Sequence, residues 1–206
     1  MKRLAVFVSG GGTDLQSVLD AQQEGRLNGS VELVVSSKAG VYALERAKKA
    51  GVSTAVFLKK EYPSAEEMNE AIIALLQEYR IDGIVLAGYL NILTPNIVRA
   101  YRNKIINIHP SLIPSFCGAG YYGLRVHSAV LSYGAKISGA TVHFVDEGAD
   151  TGPIIMQRAV PVSEGDTPES LQERVLEVEH QLLPEAVALF CADRLQVEGR
   201  IVKIKE

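Results

Sequence analysis

The segment Ile105 to Phe116 reads IINIHPSLIPSF, and within it Asn107 and His109 stand two residues apart. At the end of a buried strand that step puts both side chains on one face. An imidazole exchanges protons near neutral pH, and a side-chain amide donates to an oxygen that is gaining negative charge. Acyl transfer to an amine needs both. A carboxylate beside the imidazole would complete the set. The loop DEGADTG offers three candidates, Asp146, Glu147 and Asp150.

A second chemical segment is SGGGTD, Ser9 to Asp14, between a short apolar run and an amphipathic stretch that begins at Leu15. Small residues there let backbone N–H groups converge on an anion at the positive end of a helix. Gly10 and Gly12 match the first two glycines of a dinucleotide fingerprint, but Leu15 stands where the third belongs. The next strand ends in Ser36 and Ser37 with no acid for a ribose, and no Gly-Lys-Ser/Thr follows. NAD and a P-loop nucleotide are therefore disfavoured, and a single phosphate monoester fits better. Asp14 at the head of the helix also reads as a cap.

These residues must be positioned by a scaffold, and its grammar is α/β. Leu4 to Val8, Val31 to Val35, Thr54 to Leu58, Gly83 to Leu86 and Lys104 to Ile108 are apolar runs that alternate with helical patterns, as buried parallel strands do. Met68, Ala71, Ile72, Leu75, Leu76 and Tyr79 mark one helix face. Ser138 to Val145 and Pro153 to Val162 are joined by a loop too short for a helical crossover, so they predict an antiparallel return. A long helix follows, capped by Asp166 or Thr167 with Pro168 in its first turn. Its stripe is Leu171, Val175, Val178, Leu182, Ala186 and Leu189, and Pro184 should kink or split it. LQVEGRIVKI predicts two short strands about Glu198 and Gly199. The expectation is an α/β chain with a doubly wound, mostly parallel sheet, Rossmann-like in its N-terminal half, and antiparallel C-terminal strands.

Composition narrows the function class. A chain of 206 residues with a net charge of -3 and 47% hydrophobic residues reads as one globular domain over 1–206, with no basic excess to attract nucleic acid. The first apolar run is too short for a signal peptide and no stretch is long enough to span a membrane, so a cytoplasmic setting without a membrane partner is expected. Cys117 and Cys191 read as free thiols, and no histidine shares a metal-ligand spacing with a cysteine, so no metal is expected. His127 reads as structural at an exposed helix start, and His143 could face the site or the packing. His180 reads as solvated or packed between helices. Glu173, Arg174, Glu177 and Glu179 could form a solvated helix face.

Four segments in order resemble the 10-formyltetrahydrofolate-dependent glycinamide ribonucleotide formyltransferases nearly end to end: SGGGTDLQ, AGYLNIL, NIHPSLIPSF and VHFVDEGADTGPII. The resemblance implies the formyltransferase fold, with transfer of a formyl group from 10-formyltetrahydrofolate, a co-substrate, to the amine of a ribosyl-phosphate substrate in purine synthesis. It implies a catalytic trio of Asn107, His109 and Asp150, the last chosen because it precedes Thr151, Gly152 and Pro153. Asp150 would keep His109 protonated and oriented. Gly11, Gly12, Thr13 and Asp14 would hold the substrate phosphate and ribose, and Glu179 its amine. Leu90, Ile92 and Leu93 would line the pterin pocket with Asn107, Val145, Asp146 and Asp150. Members of the family often carry Asn where this chain has Asp14, and a basic residue where it has Ala65, which leaves Lys59 or Lys60 for the folate glutamate tail. Tyr121 and Tyr122 would shape the substrate mouth. The related formyltetrahydrofolate hydrolases and methionyl-tRNA formyltransferases usually carry a further domain. Monomer and homodimer both remain open.

Overall fold

The computed structural model describes residues 1–205. The elements run β1 (Lys2–Val8), α1 (Thr13–Gln23), β2 (Gly29–Ser36), α2 (Tyr42–Lys49), β3 (Ser53–Val56), a 3₁₀ turn (Lys59–Glu61), α3 (Ala65–Glu78), β4 (Gly83–Leu86), α4 (Pro95–Ala100), β5 (Ile105–His109), α5 (Leu124–Tyr133), β6 (Ile137–Phe144), β7 (Ile154–Pro161), α6 (Pro168–Cys191), β8 (Leu195–Glu198) and β9 (Ile201–Ile204).

One sheet takes all nine strands in the order β3-β2-β1-β4-β5-β6-β7-β9-β8. Strands β1 to β5 pair parallel with one another. The antiparallel return begins at β6, which runs against both β5 and β7. This is the mixed α/β sheet that the alternation of apolar runs predicts. Along β1 the side chains divide by parity: Leu4, Val6 and Val8 enter one core, Ala5 and Phe7 the other. The first core also takes α1, α2, α5 and α6, and the second takes α3 and α4. Burial on both faces is why these strands read as continuous apolar runs.

The order β2-β1-β4 reverses direction at β1, and the crevice beyond the carboxyl ends of β1 and β4 is where such sheets bind ligands. The turn after β1 and the loop after β4 meet there, because the backbone N–H of Leu90 donates to Ser9 Oγ at 2.9 Å. Strand β5 runs to His109 itself, one residue further than the apolar run predicts, since its pairing with β6 extends to a His109–Thr141 partner pair.

Helix α6 is capped by a reciprocal Thr167–Ser170 box with Pro168 in the first turn. It continues as one helix through Pro184, where a kink or split is expected from sequence. Leu182, Leu183, Ala186 and Val187, all fully buried, clamp both sides of the proline against the core, and that packing outweighs one missing hydrogen bond.

Leu182→Ala should cost about 2–5 kcal/mol through the cavity it leaves, whereas Thr167→Ala should cost about 1 kcal/mol through the lost cap. Thermal unfolding, at about 2–4 °C per kcal/mol for a chain of this size, measures both. Equal shifts for the two variants would show that packing against α6 does not dominate its stability.

Candidate active site

Register builds the site. Asn107 pairs with His143 and His109 with Thr141 across β5 and β6, so four polar side chains stand on one face at the end of the sheet. The Asn107 amide donates from Nδ2 to His143 Nε2 at 3.1 Å. On its other nitrogen, Nδ1, His143 meets the Phe144 carbonyl at 2.8 Å. Asn107 keeps a second amide hydrogen for a ligand.

His109 donates from Nε2 to the Phe116 carbonyl at 3.0 Å and presents Nδ1 to Asp150 Oδ2 at 3.6 Å. Phe116 is placed by hydroxyls. Thr141 Oγ1 accepts from the Ile113 N–H and donates to the Ser111 carbonyl, Ser111 Oγ donates to Ser115 O, and Gln157 Nε2 donates to Ile113 O. This network folds the proline-bearing segment back so that its carbonyl meets the imidazole.

Asp150 comes from the β6–β7 loop with φ of 57°, a left-handed conformation that an Asp tolerates at modest cost. Its carboxylate accepts the Gly118 N–H at 2.9 Å and lies 3.7 Å from His143 Nε2. Two residues on, a side chain at Gly152 would strike the Phe144 carbonyl, so the return to β7 passes with no room for one. Asp146, the rival acid, spends its carboxylate on the Gly148 N–H and the Thr151 hydroxyl in a local turn. Glu147 is held by Arg99.

The electrostatics differ from expectation at His109. Burial lowers its pKa below 6.5, and the raising effects of Asp150 and of the Phe116 carbonyl do not restore it. The imidazole is therefore neutral at rest near pH 7, not held protonated. Burial pushes the Asp150 carboxyl up, but His143, His109 and the Gly118 N–H together bring it below its ordinary value, so it stays ionised. His127 is also unlike its sequence reading: it is 1% exposed, lines the same cavity, and burial with His109 nearby takes its pKa to about 4. Helix α5 starts at Leu124, so His127 falls on the inner face with Val126 and Val130 rather than at an exposed start.

A cavity of about 300 Å³ gathers Asn107, His109, Asp150 and His127 with Asp14, Leu90, Tyr121, Tyr122, Gln172 and Glu179. Glu179 is 5% exposed, since it follows Leu171 and Val175 at four-residue steps on the buried stripe of α6. It thus leaves the solvated face on which Glu173 and Glu177 remain. Arg174 pairs with Asp166 instead. Asp14 is no helix cap: the N-cap of α1 is Gly12, whose φ is 73° and whose added Cβ would lie 2.6 Å from Ala43 Cβ. Side chains at Gly10 and Gly11 would meet open space, and Arg46 Nε donates to the Gly11 carbonyl at 2.9 Å.

The other residues singled out by sequence lie further off. Thr13 and His180 line a neighbouring cleft with Arg46. Ile92 is 78% exposed beside Leu90, and Leu93 is buried against α3 and α4. Val145 and Asp146 line a separate cleft with Arg99 and Arg102. Lys59 and Lys60 are exposed on the 3₁₀ turn. Among the described residues no three His, Cys, Asp or Glu converge to hold a metal ion, and no helix is long and apolar enough to cross a membrane. Sequence reasoning did not find Thr141, Gln157 or the Phe116 carbonyl, and it left His143 undecided. Their only signal is the β5–β6 register, which the sequence does not print.

Comparison with known proteins gives the family and the fold. The formyl transferase family profile matches residues 2–187. The chain is 44% identical over 195 residues to the chloroplastic phosphoribosylglycinamide formyltransferase of Vigna unguiculata, covering 94% of this chain and 62% of that one. It therefore spans less than two thirds of that relative's length. It is 40% identical over 201 residues to phosphoribosylglycinamide formyltransferase of Haemophilus influenzae, covering 98% and 92%. The crystal structure of glycinamide ribonucleotide transformylase 1 from Symbiobacterium toebii superposes with a TM-score of 0.95 at 46% identity, covering 100% of this chain and 95% of that one.

In an NMR titration His109 should give a pKa below 6.5. Asp150→Asn removes the leading effect that raises it, so the value should fall further, while His127, already at about 4, should barely move. An unchanged His109 curve in the variant would break the link between the two side chains.

Proposed function

We infer the activity from one premise: this chain belongs to the formyl transferase family and, within it, to the phosphoribosylglycinamide formyltransferases. It moves the formyl group of 10-formyltetrahydrofolate to the amine of phosphoribosylglycinamide, giving the formylated ribonucleotide and tetrahydrofolate in purine synthesis. The observation that carries this reading is the placing of Asn107, His109 and Asp150 in one cavity with the buried acid Glu179.

The substrate phosphate lies on the glycine turn, where backbone N–H groups at the head of α1 and the open faces of Gly10 and Gly11 accept it. Its amine reaches Glu179. The pterin of the co-substrate lies along Leu90 and Ile92, supported from beneath by Leu93, with the loop from Val145 to Asp150 on its polar edge. As the amine adds to the formyl carbon, the free amide hydrogen of Asn107 donates to the formyl oxygen. Neutral His109 is suited to take a proton from the adding amine and then pass it to the departing folate nitrogen. Asp150 at 3.6 Å and the Phe116 carbonyl at 3.0 Å stabilise the imidazolium between the two steps. A cytoplasmic setting, with no nucleic acid or membrane partner, belongs to this proposal.

Purified protein with 10-formyltetrahydrofolate should release tetrahydrofolate rapidly only when the ribonucleotide is present. Fast release without it would make the chain a hydrolase. Asp150→Asn should lower kcat by roughly 100- to 10,000-fold with little change in ligand affinity.

Gly11→Val should raise KM for the ribonucleotide by roughly tenfold with no change in Tm, because its side chain enters only the phosphate space. Gly12→Val should lower Tm instead, by strain at positive φ and collision with Ala43. Loss of stability in the Gly11 variant, with KM unmoved, would make the turn a packing device only.

A further inference from the structure

Two carboxyls from different helices line the catalytic cavity and feel each other's charge, Asp14 of α1 and Glu179 of α6. Glu179 is 5% exposed. Asp14 Oδ1 is buried without a hydrogen-bond partner, and 3.8 Å from it lies His180 Nε2, also buried and unpartnered. Carboxylates confined together in a poorly solvated space disfavour double ionisation, so a proton shared between them titrates as a property of the pair. Burial, and then Asp14, hold the Glu179 carboxyl well above its ordinary range; burial raises Asp14, with His180 opposing.

The substrate inferred above brings a proton to this place. Its reactive nitrogen is an amine beside an amide carbonyl, comparable to an α-amino group with a pKa of about 7.7–8.0. Near neutrality most of it arrives as ammonium, which has no lone pair for attack. We propose that Asp14 and Glu179 form a proton-sharing pair that takes up this proton, Asp14 acting through Glu179, and that His180 passes it to solvent. The proposal rests on the reading that Glu179 faces the substrate amine.

The protons balance. The ammonium gives one to the carboxylate and becomes a neutral amine. A second leaves the nitrogen as the new C–N bond forms and goes to the folate nitrogen, whose bond to the formyl carbon breaks. The third stays on the formamide nitrogen. One proton per turnover must therefore leave the protein, and no oxidant or reductant is involved. His180 opens on the neighbouring cleft beside Thr13, Gln16 and Arg46. The ionisable groups that line the same cavity are His109, His127, Asp150, Tyr89, Tyr121 and Tyr122, and on the cleft side stand Asp20, Glu24, Arg26 and Arg46.

Asp14→Asn is the direct test, since it keeps size and polarity and removes one acid. Without that neighbour Glu179 is the weaker base, so the ammonium is held rather than deprotonated. Measured by tetrahydrofolate formation, kcat should fall about tenfold near pH 6.5 and approach the parent value as pH rises past the amine pKa, while KM for the ribonucleotide changes less. Carboxyl-carbon NMR should show the Glu179 titration moving down in the variant. A kcat ratio constant across pH, or a Glu179 titration that does not move, overturns the pair. Absence of ribonucleotide-dependent turnover in the parent protein would instead defeat the functional reading, and the Glu179 titration would still decide whether the carboxyls share a proton.

Discussion

Strand β6 runs back against β5 and sets Asn107 opposite His143 and His109 opposite Thr141. The site depends on this register. A slip of β6 by one residue would turn Thr141 and His143 to the opposite face and bring Val142 and Phe144 to theirs, against Asn107 and His109. Ile106, Ile108, Val142 and Phe144 are buried in the larger core, so the register that exposes Asn107 and His109 to a ligand is also the one that buries the most hydrocarbon. Catalytic geometry and stability are thus specified by the same pairing. The seam where the parallel sheet turns antiparallel serves as the candidate site because β6, brought back by the segment that carries α5, sets His143 and Thr141 directly beside the end of β5.

Burial and pairing compete at each ionisable group of the cavity, and the outcome differs with the number of partners. Asp150 accepts the Gly118 N–H and has two imidazoles within 4 Å, and its carboxyl is brought below its ordinary value despite burial. His109 has one nearby carboxylate and one carbonyl, which do not offset its loss of water, and it rests neutral. Glu179 faces another acid rather than a cation, so both of its leading effects act in the same direction. The cavity is therefore divided. One end holds a fixed negative charge beside a neutral imidazole, and the other holds two acids whose affinity for a proton is raised. A formyl donor and an ammonium-bearing acceptor call for that division, because the imidazole must be free to accept a proton before it can return one.

Much of the scaffold was legible from periodicity. Parallel strands buried on both faces betray themselves as continuous apolar runs, and the short DEGADTG connection forbids a crossover. The common face of Asn107 and His109 followed from a two-residue step. The choice among three loop acids did not follow from local sequence. Asp146 and Asp150 differ only in what surrounds them, a turn hydroxyl for one and two imidazoles for the other. Glu179 carried a readable signal, the four-residue step from Leu171 through Val175, but its charge concealed it within a polar run. The inward face of His127 was set by where α5 begins, and the neutrality of His109 by how deeply it is buried. Both are tertiary quantities with no local signature.

The glycine turn shows how one motif divides its work. Gly12 takes the left-handed conformation that starts α1 and leaves no room for a side chain against Ala43, so it fixes how α1 packs on α2. Gly10 and Gly11 have open space where a side chain would be, so their lack of one serves whatever approaches from outside. Arg46 connects the two functions. It lies 4.9 Å over the Tyr42 ring and binds both the Gly11 carbonyl and Gln16, so a residue of α2 holds the loop in shape from the far side. The same α1 that begins at this turn carries Asp14, in its first turn, into the cavity.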